Sequence, residues 1–390
     1  VLSKHSTIFG IGNFMNQIVS FLMLPVYTRY LTPIDYGIKE LVGLTVDVTG
    51  ILLAMTISSA VMRFYFDHDD AKNRNEVIST AMILIGGIGI IACALISFGT
   101  GTLAKYILDN SELGYFFQIA FISMVFQSIN GVSYNYLRAN QKSLRYIIYH
   151  FIKLILGIAL NIYMICFLRW GVVSILLTTL ITSVMIFCTL TVPILRLTGL
   201  RLSYAKAKEM ARFGFPVAVS QFGAFVVHLS DRFFMKALWS VSDAGLYSLG
   251  YRFGTLPGTF VSVPFNNAWQ PRRYELMKQP DSEKVFGRIF TYYMFVLFFC
   301  GMSVAVLTKD VLKIMATSSF WSAYQVVPII VLANIIFNMS THVSMGILIT
   351  KKTKYFAFIN GSNAFLVLVL NFFLIKSYGA YGAAVATLIA

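Results

Sequence analysis

Long stretches free of Asp, Glu, Lys and Arg recur along the chain: residues 5–28, 77–104, 113–137, 170–195, 213–230, 289–308, 314–350, 355–375 and 377–390. Three more, 40–62, 146–168 and 244–270, hold one or two charges each. A helix needs about 20 residues to cross the hydrocarbon core. In lipid the backbone polar groups have to be paired within the segment, and barrel strands would be about 10 residues of alternating polarity. The pattern therefore predicts an all-α polytopic membrane protein with twelve spans. The first run is too long for the apolar core of a cleavable leader and reads as a retained span. The twelfth, beginning near Tyr378, is shorter than a crossing, so the C-terminal end is expected to be missing.

Composition agrees with this reading. Hydrophobic residues make up 57% of the 390 residues and charged residues 12%, against roughly 25% charge in a soluble domain. Mean hydropathy is +0.74. A soluble globular enzyme and a disordered chain are both excluded. The 31 Lys and Arg exceed the 16 Asp and Glu, giving +15. These bases form short groups between apolar runs, which points to cytoplasmic loops and not to nucleic acid. They gather on alternate turns: Arg63, Lys72 and Arg74; Arg138, Lys142 and Arg145; Arg196 to Arg212; Arg272 to Arg288; and Lys351, Lys352 and Lys354. The positive-inside rule puts those turns and the N-terminus in the cytoplasm. Cys93, Cys166, Cys188 and Cys300 all lie in apolar runs and suggest neither zinc nor disulfides.

The chain also resembles itself. A shift of 208 places Asp35 on Asp243, Gly37 on Gly245, Leu41 on Leu249, Gly50 on Gly258, Lys105 on Lys313 and Gly171 on Gly379. Near the fourth inner turn the shift becomes 209, pairing Arg145-Tyr146 with Lys354-Tyr355. Six spans per half is an even number, so both halves enter from one side. That makes a parallel repeat about an axis along the membrane normal. The expected organisation is a six-helix bundle at 1–200, a basic linker at 201–212 and a second six-helix bundle at 213–390. The linker, with Arg201, Lys206, Lys208 and Arg212, reads either as a helix lying on the inner surface or as a solvated connection.

Two local patterns carry a family resemblance. The first outer hairpin reads Tyr27-Thr28-Arg29-Tyr30-Leu31-Thr32-Pro33-Ile34-Asp35-Tyr36-Gly37. The seventh span begins Arg212-Phe213-Gly214-Phe215-Pro216 and ends near Ser230-Asp231-Arg232-Phe233. With the six-plus-six layout, these resemble the polysaccharide transporter (PST) family of the multidrug/oligosaccharidyl-lipid/polysaccharide (MOP) superfamily, the group of Wzx-type O-antigen and capsule repeat-unit flippases. The resemblance implies movement of an undecaprenyl-pyrophosphate-linked oligosaccharide across the bacterial inner membrane. It also implies a cavity between two bundles, open sideways to lipid, and a polysaccharide polymerase and chain-length regulator as neighbours. A cationic lining would hold the pyrophosphate by charge-assisted hydrogen bonds.

Ionisable residues inside the spans are the candidate site residues. Arg252 stands on a span containing Gly250, Gly254 and Gly258, with Pro257 and Pro264 to kink it. It reads as a phosphate contact or as the ion-pair partner of Asp231. Lys153 reads as a cavity cation or a side chain snorkelling to the interface. Arg29, near Asp35, and Arg232, beside Asp231, line the outer vestibule or pair locally. Asp47 is a coupling site for a proton or cation, or a partner for Lys153 or Arg252. A sodium site built from Asp231, Asn360, Asn363, Asn371 and Thr387 is a further option, since this region loosely resembles the lipid II flippases. Asn13, Asn16, Gln17 and Gln221 bind sugar hydroxyls or glue helices together.

No cofactor is expected apart from a coupling H+ or Na+. The sequence contains no phosphate-binding G-x-x-x-x-G-K-[ST] loop. His5, His68, His150, His228 and His342 have no metal-binding spacing. The reading is a transporter and not an enzyme. The competing reading is a cation-coupled multidrug antiporter of the same superfamily, which would favour buried acids over the basic set seen here.

Overall fold

The computed structural model describes residue 19 and residues 21–276, 281–343 and 354–390. Asn13, Asn16 and Gln17 of the first span, and the inner-turn bases Lys278, Lys351 and Lys352, lie outside the described residues. Among the described residues the chain is helical, with no strand. Eight helices are long and apolar enough to cross a membrane. They fall on the third to seventh and the ninth to twelfth expected spans, the last two running together as Phe358–Ile389. Gly379, at φ 55° and ψ −131°, breaks that stretch into two helices. The second and eighth expected spans are helical too, but they carry charges and are interrupted by π-helical turns at Ile51–Met55 and Gly258–Ser262.

The chain divides into two compact units. One runs to Leu31 and resumes over Ile38–Phe225; the other comprises Thr32–Gly37 and Val226–Ala390. In the first unit, α1 (Leu24–Tyr30), α2 (Pro33–Gly50) from Ile38 onward and α3 (Thr56–Phe66) lead to α4 (Ala71–Ser97) and α5 (Thr100–Leu108). These are followed by α6 (Gly114–Ala139), α7 (Ser143–Ile162), α8 (Val172–Ile186) and α9 (Val192–Thr198). Helix α6 packs on α3, α4 and α8 around Ile57, Val61, Ile78, Ile85, Val125, Ile129 and Leu190. Lipid tails are as apolar as this core, so hydrogen bonds between helices add what burial does not. Asn130 supplies them, donating to the Ser183 carbonyl at 2.9 Å and accepting from Thr191 Oγ1 at 2.8 Å.

The basic segment leads straight into a helix. Its backbone at Arg201 and Ser203 donates to Ser79 Oγ and Thr80 Oγ1 of α4 at 2.8 and 3.1 Å. From Tyr204 onward it is already α10 (Tyr204–Leu238), whose Lys206 pairs with Glu76 at 2.7 Å. The division between the units falls within α10.

The second unit continues with α11 (Val241–Gly254), α12 (Val263–Leu276), α13 (Ser282–Met315), α14 (Val327–Val343), α15 (Lys354–Leu370) and α16 (Lys376–Ile389). The Thr-Pro-x-Asp-Tyr-Gly sequence acquires a physical meaning here. Thr32 and Asp35 form a reciprocal cap at the start of α2: Thr32 N–H and Oγ1 donate to Asp35 Oδ2 at 2.9 and 2.8 Å, and Asp35 N–H donates to Thr32 Oγ1 at 3.1 Å. Pro33 takes the first helical position, where no amide is needed. Tyr36 is fully buried with its ring edge-on to Phe320, centroids 6.0 Å apart. Gly37 and Gly245 let two backbones meet. A methyl group at Gly245 would collide with the Pro33 carbonyl and the Gly37 backbone. Main chain cannot yield as a side-chain tip can, so Gly245→Leu is expected to cost about 1–3 kcal/mol or more. A lower unfolding midpoint in detergent checks this; an unchanged one would contradict the contact.

Several features recur at the 208-residue spacing. Ser240 and Asp243 repeat the Thr32 and Asp35 cap. The π-helical turn Tyr163–Phe167 is matched by Asn371–Ile375. Gly171, at φ 56° and ψ −132°, has nearly the conformation of Gly379. An L-residue with a Cβ rarely adopts that region, so glycine is required at both places.

Candidate functional site

A charged cluster forms where α10 ends and α11 passes it. Asp231 and Arg232 are only 3% and 4% exposed. A buried charge is tolerated when it is paired and its remaining polar atoms are hydrogen-bonded. Arg232 Nη1 donates to Asp231 Oδ1 at 2.5 Å and to the His228 carbonyl at 2.6 Å. Tyr247 Oη donates to Asp231 Oδ2 at 2.6 Å. The guanidinium lies over the Tyr251 ring, 3.9 Å from its centroid, and 5.4 Å from that of Tyr247. A desolvated contact of this kind contributes about 2 kcal/mol. Asp231 is thus held by Arg232 and Tyr247, not by Arg252 as one reading of the sequence expected. Arg232 is buried on an aromatic wall instead of lining a vestibule.

Arg252 follows Tyr251 on α11 and is half-buried. Gly250 packs on the Ala323 carbonyl and Val326, Gly254 on Ile330, and Gly258 on Asn334 Oδ1. At 3.6 residues per turn, Arg252 leaves the helix on the side away from these glycines. Pro257 and the π-helical turn Gly258–Ser262 interrupt the span directly after it.

In the first unit, Lys153 is half-buried on α7, one turn beyond His150. The His150 ring lies 4.4 Å from Tyr134 and 4.3 Å from Tyr146. Tyr134 Oη and His150 Nε2 are buried and make no hydrogen bond among the described residues. Asp47, on α2, is not covered by protein. Neither Asp47 nor Lys153 forms an ion pair among the described residues, so their expected mutual pairing is not found. Arg29 is exposed at the end of α1, and the acid expected to pair with it, Asp35, caps α2 with Thr32.

The residues considered for sodium differ in exposure and in hydrogen bonding. Asn371 is 1% exposed, and its amide donates to Ser230 Oγ at 3.4 Å, beside Asp231. Asn363 is half-buried and Asn360 exposed on α15. Thr387 Oγ1 donates to the Ala383 carbonyl of its own helix at 3.0 Å. Gln221 is half-buried on α10. The sequence reading missed Tyr247, Tyr251 and Tyr134. Their signal was the i, i+4 spacing of Tyr247 and Tyr251 opposite an acid–base pair, hidden by assigning tyrosines to interfacial belts.

A family model for "polysaccharide biosynthesis protein" matches residues 26–325. A membrane protein of Haemophilus influenzae, itself uncharacterized, is 24% identical over 290 residues, or 71% of this chain and 66% of the relative. The chain spans about two thirds of the length of the curated relatives it matches. Among solved structures, the lipid II flippase MurJ in an inward closed conformation aligns with a TM-score of 0.75 at 15% identity, covering 98% of this chain and 84% of that one. An inward-facing multidrug resistance MATE transporter of the MOP superfamily aligns at 0.69 and 16% identity, covering 96% and 91%. The chain is a multi-pass membrane protein with this fold.

Proposed function

Because the chain belongs to the polysaccharide biosynthesis protein family, we propose that it is a flippase that moves an undecaprenyl-pyrophosphate-linked oligosaccharide from the inner to the outer leaflet of a bacterial inner membrane. The family match across residues 26–325 carries the reading. A fold shared with a protein named a lipid II flippase supports it. The head group of such a substrate has a pyrophosphate and several sugars and cannot enter hydrocarbon without polar partners. Arg252 in the second unit, and Lys153 and Arg29 in the first, are the proposed phosphate contacts. Arg232 is already neutralised by Asp231 and leaves this set. Asp47, uncovered and without an ion pair among the described residues, is the proposed place of proton coupling. The flipped oligosaccharide would pass to a polymerase and a chain-length regulator.

The MATE likeness favours one rival, a multidrug antiporter. Cells lacking the protein should accumulate lipid-linked oligosaccharide facing the cytoplasm and lose surface polysaccharide, with unchanged resistance to cationic drugs. Drug sensitivity with intact surface polysaccharide would reverse the assignment. The proposed orientation has its own check. A reporter fused after Lys142 should be cytoplasmic and one after Asp109 periplasmic, since α6 separates them. The opposite result would overturn the N-in arrangement.

A further inference from the structure

The sodium site considered from the sequence can be weighed against the donors that the fold assembles. A hard cation needs several oxygen ligands. Asp231 is the one carboxylate of the set, and both its oxygens are engaged, Oδ1 by Arg232 and Oδ2 by Tyr247. A sodium ion there would lie beside a guanidinium that stays protonated and has donors but no acceptor. Thr387 spends its hydroxyl proton on its own helix, and Asn360 is exposed. These residues do not fit a sodium ion while Arg232 is in place. Yet an unpaired side-chain oxygen stands on the residue that meets Ser230, the neighbour of Asp231 in the chain. Asn371 Oδ1 is buried with no hydrogen-bond partner among the described residues, while its amide reaches Ser230 Oγ.

We propose that Arg232 is a resident cation: its guanidinium fills at Asp231 the place a metal ion would take, and removing it uncovers a monovalent-cation site formed by Asp231, Tyr247, Ser230 and Asn371. The ring faces of Tyr251 and Tyr247 hold the guanidinium, and the covalent tether keeps it there whatever the ion gradient. At Asp231 the unit therefore needs no sodium.

The test uses the purified full chain in detergent and reads cation binding, so it is separate from which substrate is moved. The wild-type protein should retain no radiosodium and should unfold at the same midpoint in sodium chloride and choline chloride. Arg232→Met should retain radiosodium, and its midpoint should rise with sodium but not choline, as expected when a ligand binds only the folded state. Arg232→Met combined with Asp231→Asn should lose both responses. If Arg232→Met accumulates poorly, sodium in the growth medium should restore its abundance where choline does not. Sodium binding by the wild type that disappears in Asp231→Asn would overturn the proposal. So would an Arg232→Met protein indifferent to sodium in binding, midpoint and abundance.

Discussion

A chain carrying Arg252→Ala is expected to stay in the membrane at normal abundance and to export no surface polysaccharide. The glycine face of α11 provides its packing on Ala323, Val326 and Ile330, and Arg252 contributes none of that close approach. Asp231, the acid once considered as its partner, is held by Arg232 and Tyr247. Removing Arg252 therefore does not strand that carboxylate. The proposed substrate contact that is lost is a guanidinium fork, which grips phosphate oxygens in a geometry that an ammonium does not reproduce. Arg252→Lys should restore only part of the export. Surface polysaccharide and membrane abundance, measured together, decide the matter. Full export by abundant Arg252→Ala protein would remove this residue from the substrate path.

Asp231→Ala should act in the opposite way, by draining the membrane of folded protein. It leaves Arg232 buried with its charge uncompensated, a loss of about 3–5 kcal/mol against a total stability of only about 5–15 kcal/mol. Tyr247 Oη loses its acceptor at the same time. Combining Asp231→Ala with Arg232→Met removes the stranded charge and should recover most of the abundance and the unfolding midpoint. A single variant as stable as wild type would show that the pair is not holding the second unit together.

The spans were legible because lipid imposes a length and an apolar composition that few other constraints disturb. The second and eighth were harder to read. Charges such as Glu40, Asp47 and Arg252 sit inside them, and nothing in an amino-acid pattern marks a π-helical turn. The Thr32-to-Gly37 pattern was visible as a turn, but its work as a cap and as a backbone contact with α11 depends on Gly245, far away in sequence. The charged cluster was legible in part: local pairing of Arg232 with its neighbour Asp231 was one reading, and Arg252, toward the same outer half of the next span, was the other partner offered. In the structure the long Arg232 side chain reaches back to the His228 carbonyl and across to Asp231, with Tyr251 beneath it. The bases from Lys206 to Arg212 lie on α10, a continuation into the next span that their charge pattern alone does not mark.

The central claim, that the chain carries a lipid-linked oligosaccharide across the bilayer, is tested most directly in proteoliposomes. The purified protein would be reconstituted with a labelled polyprenyl-pyrophosphate oligosaccharide, and the fraction open to a sugar-modifying enzyme outside the vesicles followed with time. With the wild-type protein that fraction should rise from the outer-leaflet share toward the whole pool, and with Arg252→Ala it should stay at the outer-leaflet share. A wild-type protein that leaves the inner-leaflet pool protected, while driving a cationic drug across the same vesicles, would contradict the account.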